Sequence, residues 1–103
     1  MRPGYEPFQS WDHGVSYHLG PTYLVLEQSP AMTSGQHQRR SPGLNHLAFH
    51  AGSRGDVDQL VNAATDHGWQ LLFTYRHPFA GGPEHHAAYL QDDAGNEVEL
   101  VAQ

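Results

Sequence analysis

The first 28 residues contain no helical period. Three short runs of apolar and β-branched residues predict strands at Glu6–Trp11, Val15–Leu19 and Thr22–Glu27. Turn signals containing Gly14 and Gly20 separate these runs. Because consecutive strands with short connections pair side by side, we expect this first block to be an antiparallel meander of three strands.

A polar segment without periodicity, residues 29–42, follows and is predicted to be a linker. Leu44–His50 then predicts a strand. After it, the apolar residues Val57, Leu60, Val61 and Ala64 recur at the spacing of an amphipathic helix. Ser53 is a suitable N-cap with Asp56 three residues later, and Gly68 is a typical stop signal.

Three more strands are predicted after the helix: Trp69–Tyr75, His86–Gln91 and Glu97–Val101. A glycine-rich loop at residues 78–83 and a turn at residues 92–96 separate them. Residues 43–103 therefore form a βαβββ block. Residues 1–28 match it without its opening strand and helix. We interpret residues 1–103 as one domain of the α+β class that contains an incomplete internal repeat.

Composition excludes several classes of function. The 103 residues carry five Arg, no Lys and eleven acidic residues, for a net charge of −6 with His neutral. Nucleic-acid grooves and anionic membrane surfaces both require clustered cations, so neither partner is expected. The absence of Cys excludes thiolate chemistry. No apolar run approaches the roughly 20 residues of a membrane span, which favours the cytoplasm. Nine His leave metal binding open.

Two stretches of the second block resemble the vicinal oxygen chelate superfamily, which includes glyoxalase I, extradiol dioxygenases and bleomycin-resistance proteins. Residues 43–49 (GLNHLAF) resemble its module-opening strand with a His, and residues 89–100 (YLQDDAGNEVEL) its closing strand–turn–strand. Residues 23–28 are similar to the end of a first module. The resemblance implies paired βαβββ modules that form an open, cupped mixed sheet, with the first module truncated to βββ.

The resemblance also implies a metal site in the cup. Strand alternation places the apolar side chains of the second block under the helix and leaves His46 and Glu99 on the cup side. By the same alternation Glu27 faces the cup. These three residues occupy three of the four ligand positions of the family. The expected metal is divalent, namely Mn, Fe, Co, Ni or Zn, with Glu99 also acting in proton transfer.

The candidate substrate contacts are His50, His86, Tyr75 and Trp11. Since His85 and His86 are adjacent, only one can face the cup, and we favour His86. Three interpretations stay open: a metal-dependent enzyme acting on vicinal oxygens, a metal-free protein that binds a small molecule, and an inactive truncated copy. A cupin-type barrel is disfavoured by the helix. The first block would expose Leu24 and Leu26 and an unpaired edge, so we expect a homodimer.

Overall fold

The computed structural model describes residues 4–33 and 35–103, and these two ranges form two compact units. In chain order the elements are β1 (Glu6–Trp11), β2 (Gly14–Leu19), β3 (Thr22–Glu27), β4 (Leu47–His50), α1 (Arg54–Thr65), β5 (Gln70–Leu71), β6 (Ala87–Gln91) and β7 (Glu97–Val101). Among the described residues no helix has the length and apolar character needed to cross a membrane. The expected α+β class, with a βββ block and a βαβββ block, is confirmed.

The first unit is an antiparallel sheet in the order β1-β2-β3. The observed strands coincide with the predicted ones, except that β2 begins at Gly14 instead of Val15. A Cβ atom at Gly14 would lie 2.6 Å from the Leu26 carbonyl oxygen and 2.8 Å from the Trp11 ring. Glycine is therefore required where β2 passes between its neighbours.

Apolar side chains are exposed on both faces of this sheet. Leu26 is 58% exposed and Leu24 is half-buried, and Val25, which points the other way, is 53% exposed. Phe8 and Tyr23 are also more than half exposed. A three-stranded sheet with this much bare apolar surface has little core of its own.

The second unit contains a four-stranded mixed sheet in the order β4-β7-β6-β5. Strand β4 pairs with β7 in parallel, whereas β6 is antiparallel to both of its neighbours, β7 and β5. Helix α1 packs against one face. The core there contains the buried residues Ala51, Val57, Val61, Ala88, Leu90 and Leu100. The other face carries the polar residues of the site described below.

Helix α1 begins and packs as its sequence pattern predicts. The Ser53 hydroxyl accepts a hydrogen bond from the Asp56 amide at 3.1 Å, and the Asp56 carboxylate accepts one from the Ser53 amide at 2.9 Å. This capping box satisfies two amides that would otherwise lack partners at the helix start. Val57 and Val61 are buried against the sheet, so the predicted apolar face is confirmed.

Three strands are shorter than predicted, and of these β6 differs only in beginning at Ala87 instead of His86. Strand β4 begins at Leu47 instead of Leu44, because Leu47 is the first residue with a partner on β7, Val98. The predicted strand Trp69–Tyr75 is reduced to β5, since Phe73 takes a positive φ of 54° and its carbonyl accepts the amides of Arg76 and His77. The chain turns there and leaves the sheet.

We predict that Ser53→Ala lowers the free energy of unfolding by about 1 kcal/mol, because the helix loses a capping hydrogen bond. Urea denaturation measures this loss. Ser41→Ala is the matched control, since Ser41 is exposed and takes part only in a backbone hydrogen bond. Equal stability of the two variants would show that the capping box contributes nothing measurable.

Candidate functional site

The Glu99 carboxylate is the centre of the polar face of the second unit. Strand pairing places Glu99 beside Ala48 of β4 and Tyr89 of β6, and only 7% of the residue is exposed. His46 Nε2 lies 3.0 Å from Glu99 Oε1, and His85 Nε2 lies 2.6 Å from Oε2. Each carboxylate oxygen therefore has its own imidazole.

These contacts change the acidity of the groups involved. Burial opposes ionisation of Glu99, but hydrogen bonds from His85, His46 and Tyr89 together outweigh it and hold the pKa of Glu99 below its usual value. For Tyr89, burial and then the negative charge of Glu99 raise the pKa of the phenol. The site therefore favours an ionised Glu99 and a neutral Tyr89.

Asn45 determines how His46 presents its ring. The Asn45 side-chain amide donates to the Arg39 carbonyl oxygen at 3.1 Å, and Asn45 Oδ1 lies 3.3 Å from Arg39 Nη2. With this orientation, Oδ1 accepts a hydrogen bond from His46 Nδ1 at 2.7 Å. With Nδ1 bonded to Asn45, Nε2 can meet Glu99 Oε1 either as a hydrogen-bond donor or as a metal ligand.

That donor set fits a metal cation. His46 Nε2 and Glu99 Oε1, 3.0 Å apart, are a nitrogen and an oxygen atom of the kinds that bind divalent metals in proteins. The hydrogen bond from Nδ1 to Asn45 is the outer support that metal-binding imidazoles usually have. Among residues 4–33 and 35–103, no three His, Asp or Glu side chains are grouped as a metal site. The second unit thus offers two ligands.

A cavity of about 300 Å³ adjoins His46. It is lined by Arg39, His46, Phe73, Tyr75, Arg76, Ala80, Tyr89 and Glu97. Aromatic rings form one part of the wall, and the edge of the Phe73 ring meets Tyr89 with centroids 5.5 Å apart. Since positive φ is unfavourable for a bulky residue, Phe73 stores backbone strain at this wall.

Gly81 lets the loop pass close to the site. A Cβ at this position would lie 2.5 Å from His85 Cδ2 and 2.9 Å from the Tyr89 hydroxyl. Any larger residue would displace one of the two groups that contact Glu99. Because Gly81 has no side chain, the glycine-rich loop predicted at residues 78–83 can lie against His85 and Tyr89.

The structure brings His46 and Glu99 together, and it places Tyr75 at the cavity, where 83% of Tyr75 is exposed. His50 is exposed on β4 and is not one of the residues that line this cavity. Glu27 and Trp11 lie in the first unit, where Trp11 Nε1 donates to Glu27 Oε2 at 3.1 Å. Their role as a ligand and a substrate contact stays a prediction.

His85, and not His86, is the histidine beside Glu99, which differs from our expectation. His86 points to the helix side, where its Nε2 lies 3.4 Å from Asp58 Oδ1. The reason is strand parity: counting back from buried Leu90 places His86 on the core face and His85 on the side of Tyr89. This signal was present in the sequence.

Sequence analysis did not identify Arg39, Asn45, Arg76 and Glu97 as residues of the site. Arg39 lies in the segment interpreted as a linker, and part of that segment packs with the second unit, as the His37 amide donates to the Ala94 carbonyl oxygen. Glu97 could have been predicted from the sequence as a residue of the site, because it lies on the same strand face as Glu99.

Comparisons with known proteins agree with this fold. Residues 4–89 match the model of the glyoxalase/bleomycin resistance protein/dioxygenase superfamily. The chain is 44% identical over 101 residues to YqjT of Bacillus subtilis, an uncharacterised protein, covering 96% of this chain and 78% of that one. The chain belongs to this superfamily.

Solved structures extend the comparison. A Bacillus halodurans protein assigned provisionally to the glyoxalases is 46% identical, with a TM-score of 0.87 over 97% of this chain and 76% of that chain. Lactoylglutathione lyase of Agrobacterium tumefaciens is 21% identical, with a TM-score of 0.60 over 96% and 75% of the two chains. The second likeness concerns the fold alone.

The lowered pKa of Glu99 predicts a pH dependence of stability. A carboxyl group whose pKa is lower in the folded state stabilises the fold above its unfolded value of 4.5, and this contribution is lost as the pH falls below it. We therefore expect the difference in unfolding free energy between the wild type and Glu99→Gln to shrink from pH 6 to pH 3. Exposed Glu84 provides the control Glu84→Gln, and a difference that stays constant would contradict the assignment.

Proposed function

We propose that this protein is a divalent-metal-dependent enzyme of the glyoxalase or dioxygenase type, acting on a small molecule with two vicinal oxygens. One observation carries the proposal: His46 Nε2, on a ring held by Asn45, faces Glu99 Oε1 at 3.0 Å beside an open cavity. Membership of the superfamily supports it. We propose Mn, Fe, Co, Ni or Zn as the metal.

In this proposal His46 and Glu99 hold the metal, and Glu27 is the third ligand by its match to the family position. The metal supplies Lewis-acid polarisation of the two substrate oxygens. Glu99 acts in proton transfer at Oε2, where His85 Nε2, 2.6 Å away, holds the proton or returns it. Tyr89 donates its hydroxyl hydrogen to Glu99 and keeps the carboxylate in place.

A second candidate is a metal-free protein that binds a small molecule, as in bleomycin resistance. The aromatic side chains of Phe73, Tyr75 and Tyr89 along the cavity favour it, because flat apolar ligands stack on such walls. The enzyme makes use of the pair formed by His46 and Glu99. A metal-free binding site does not need this pair, so we prefer the enzyme.

We further propose that the chain acts as a homodimer in the cytoplasm. The support is the exposed apolar surface of the first unit, where Phe8, Tyr23, Val25 and Leu26 are each more than half exposed. Fully burying such a side chain is worth about 1.5–3 kcal/mol. A second copy of the chain can cover this surface and the free edges of β1 and β3.

Removing a ligand should remove the metal. We expect His46→Gln and Glu99→Gln each to lose stoichiometric metal by elemental analysis of protein purified without a His-tag, and Glu27→Gln to weaken binding. Binding should also weaken below about pH 6, since a ligating imidazole must be unprotonated. His67→Gln is the control, because His67 is exposed and its ring Nδ1 contacts the Ala63 carbonyl oxygen, not the site.

Full metal occupancy in both His46→Gln and Glu99→Gln would overturn the ligand assignment. Turnover is tested separately, with diols, catechols and hemithioacetals in the presence of Mn²⁺, Fe²⁺, Ni²⁺ or Zn²⁺. Tight binding of aromatic ligands without metal, together with no turnover, would favour the second candidate. The absence of metal, ligand binding and turnover alike would favour an inactive copy.

The oligomeric state is measured by light scattering at micromolar concentration, where we expect a dimer. Leu26→Glu places a charge on the exposed surface and should shift the protein toward monomer or reduce its solubility. Leu44→Glu is the matched control, as Leu44 is 52% exposed in the second unit. A stable, well-folded monomer of the wild type would contradict the proposal.

A further inference from the structure

Glu97 is a buried carboxylate without a hydrogen-bond donor. The residue is 3% exposed and lines the cavity, and neither carboxylate oxygen has a hydrogen-bond partner among the described residues. Arg39 Nε is 3.4 Å from Oε1, within ion-pair distance, but the geometry makes no hydrogen bond. A buried carboxylate that lacks donors is costly, so a ligand that supplies one is strongly favoured.

Arg76 is the complementary group on the same cavity. Within the part of the chain that the structure describes, its guanidinium has no ion pair or hydrogen bond, unlike Arg39, which contacts Glu97 and Asn45. The chain carries only five cationic side chains against eleven acidic ones, and two of the five line this cavity. A guanidinium in this position suits a carboxylate.

The size and the walls of the cavity limit the ligand further. A volume of about 300 Å³ corresponds to about ten water molecules, and so to a ligand of about ten non-hydrogen atoms. Phe73, Tyr75 and Tyr89 offer aromatic surfaces for a flat molecule. We propose that the cavity binds a small hydroxylated aromatic carboxylate, with its hydroxyl donating to Glu97 and its carboxylate meeting Arg76.

This inference rests on the proposed function only in that the same cavity receives the small molecule. The class of ligand is inferred from Glu97, Arg76 and the aromatic wall, none of which is a proposed metal ligand. It is therefore tested on metal-free protein, treated with a chelator, so that loss of the metal assignment and loss of this inference give separate results.

The probes are 3- and 4-hydroxybenzoate, the corresponding methoxybenzoates and the corresponding hydroxybenzamides, measured by isothermal titration calorimetry. The methoxy group removes the donor for Glu97, and the amide removes the charge for Arg76. We expect one of the hydroxybenzoates to bind about ten-fold more tightly than both of its analogues, as a hydrogen bond to a charged group is lost in each.

Variants locate the two contacts. Arg76→Gln should remove the preference for carboxylate over amide, and Arg54→Gln, an exposed arginine at the start of α1, should leave it unchanged. Glu97→Gln should remove the preference for hydroxyl over methoxy. If Glu97→Gln does not fold, the comparison of hydroxy and methoxy ligands on the wild type tests the same hydrogen bond from the ligand side.

The proposal is overturned if the hydroxybenzoates bind no better than both analogues or do not bind at millimolar concentration. It is also overturned if Arg76→Gln retains the carboxylate preference. Selective binding that Arg76→Gln abolishes and Arg54→Gln preserves would support it.

Discussion

The parallel pairing of β4 with β7 is the constraint on which the site depends. With Leu47 opposite Val98 and Ala48 opposite Glu99, the residue before β4, His46, comes within 3.0 Å of the Glu99 carboxylate. The same pairing turns Phe49 and Leu100 toward α1, so burial of the apolar face locks the register. A shift of this register by one residue would place Glu99 in the core, and the site would not form.

Glu97 and Glu99 lie on the same face of β7 but differ in the hydrogen bonds that their neighbours donate to them. Glu99 receives hydrogen bonds from His46, His85 and Tyr89, which offset the cost of its burial and lower its pKa. Glu97 is equally buried, but its oxygens have no such donors. Buried polar groups in proteins are normally hydrogen-bonded. Glu99 obtains its hydrogen bonds from other residues of the protein. Glu97 lines the cavity and obtains none from the described residues. Since both residues are glutamates, their positions along β7 determine which of them has hydrogen-bond donors nearby.

Much of this arrangement can be predicted from the sequence, and the predictions that were wrong failed for physical reasons. Alternation along β7 and the apolar spacing of α1 predicted which side of the sheet holds Glu99, and the turn at residues 92–96 followed from its residue types. The expectation of His86 was wrong, because strand alternation from buried Leu90 puts His85 on the side of Glu99. Arg39 and Asn45 could not be found from the sequence. The ion pair of Arg39 with Glu97 joins a loop to a strand that is distant in the sequence. The hydrogen bonds of Asn45 to Arg39 and His46 depend on the path of an irregular loop that no local pattern predicts.

The central claim is that a divalent cation binds between His46 and Glu99. Anomalous diffraction from crystals of the protein grown with Mn²⁺ tests it directly. The account predicts an anomalous peak next to the side chains of His46 and Glu99, with Asn45 still bonded to His46 Nδ1. No peak at this position under saturating Mn²⁺, with His46 and Glu99 still hydrogen-bonded to each other, would contradict it.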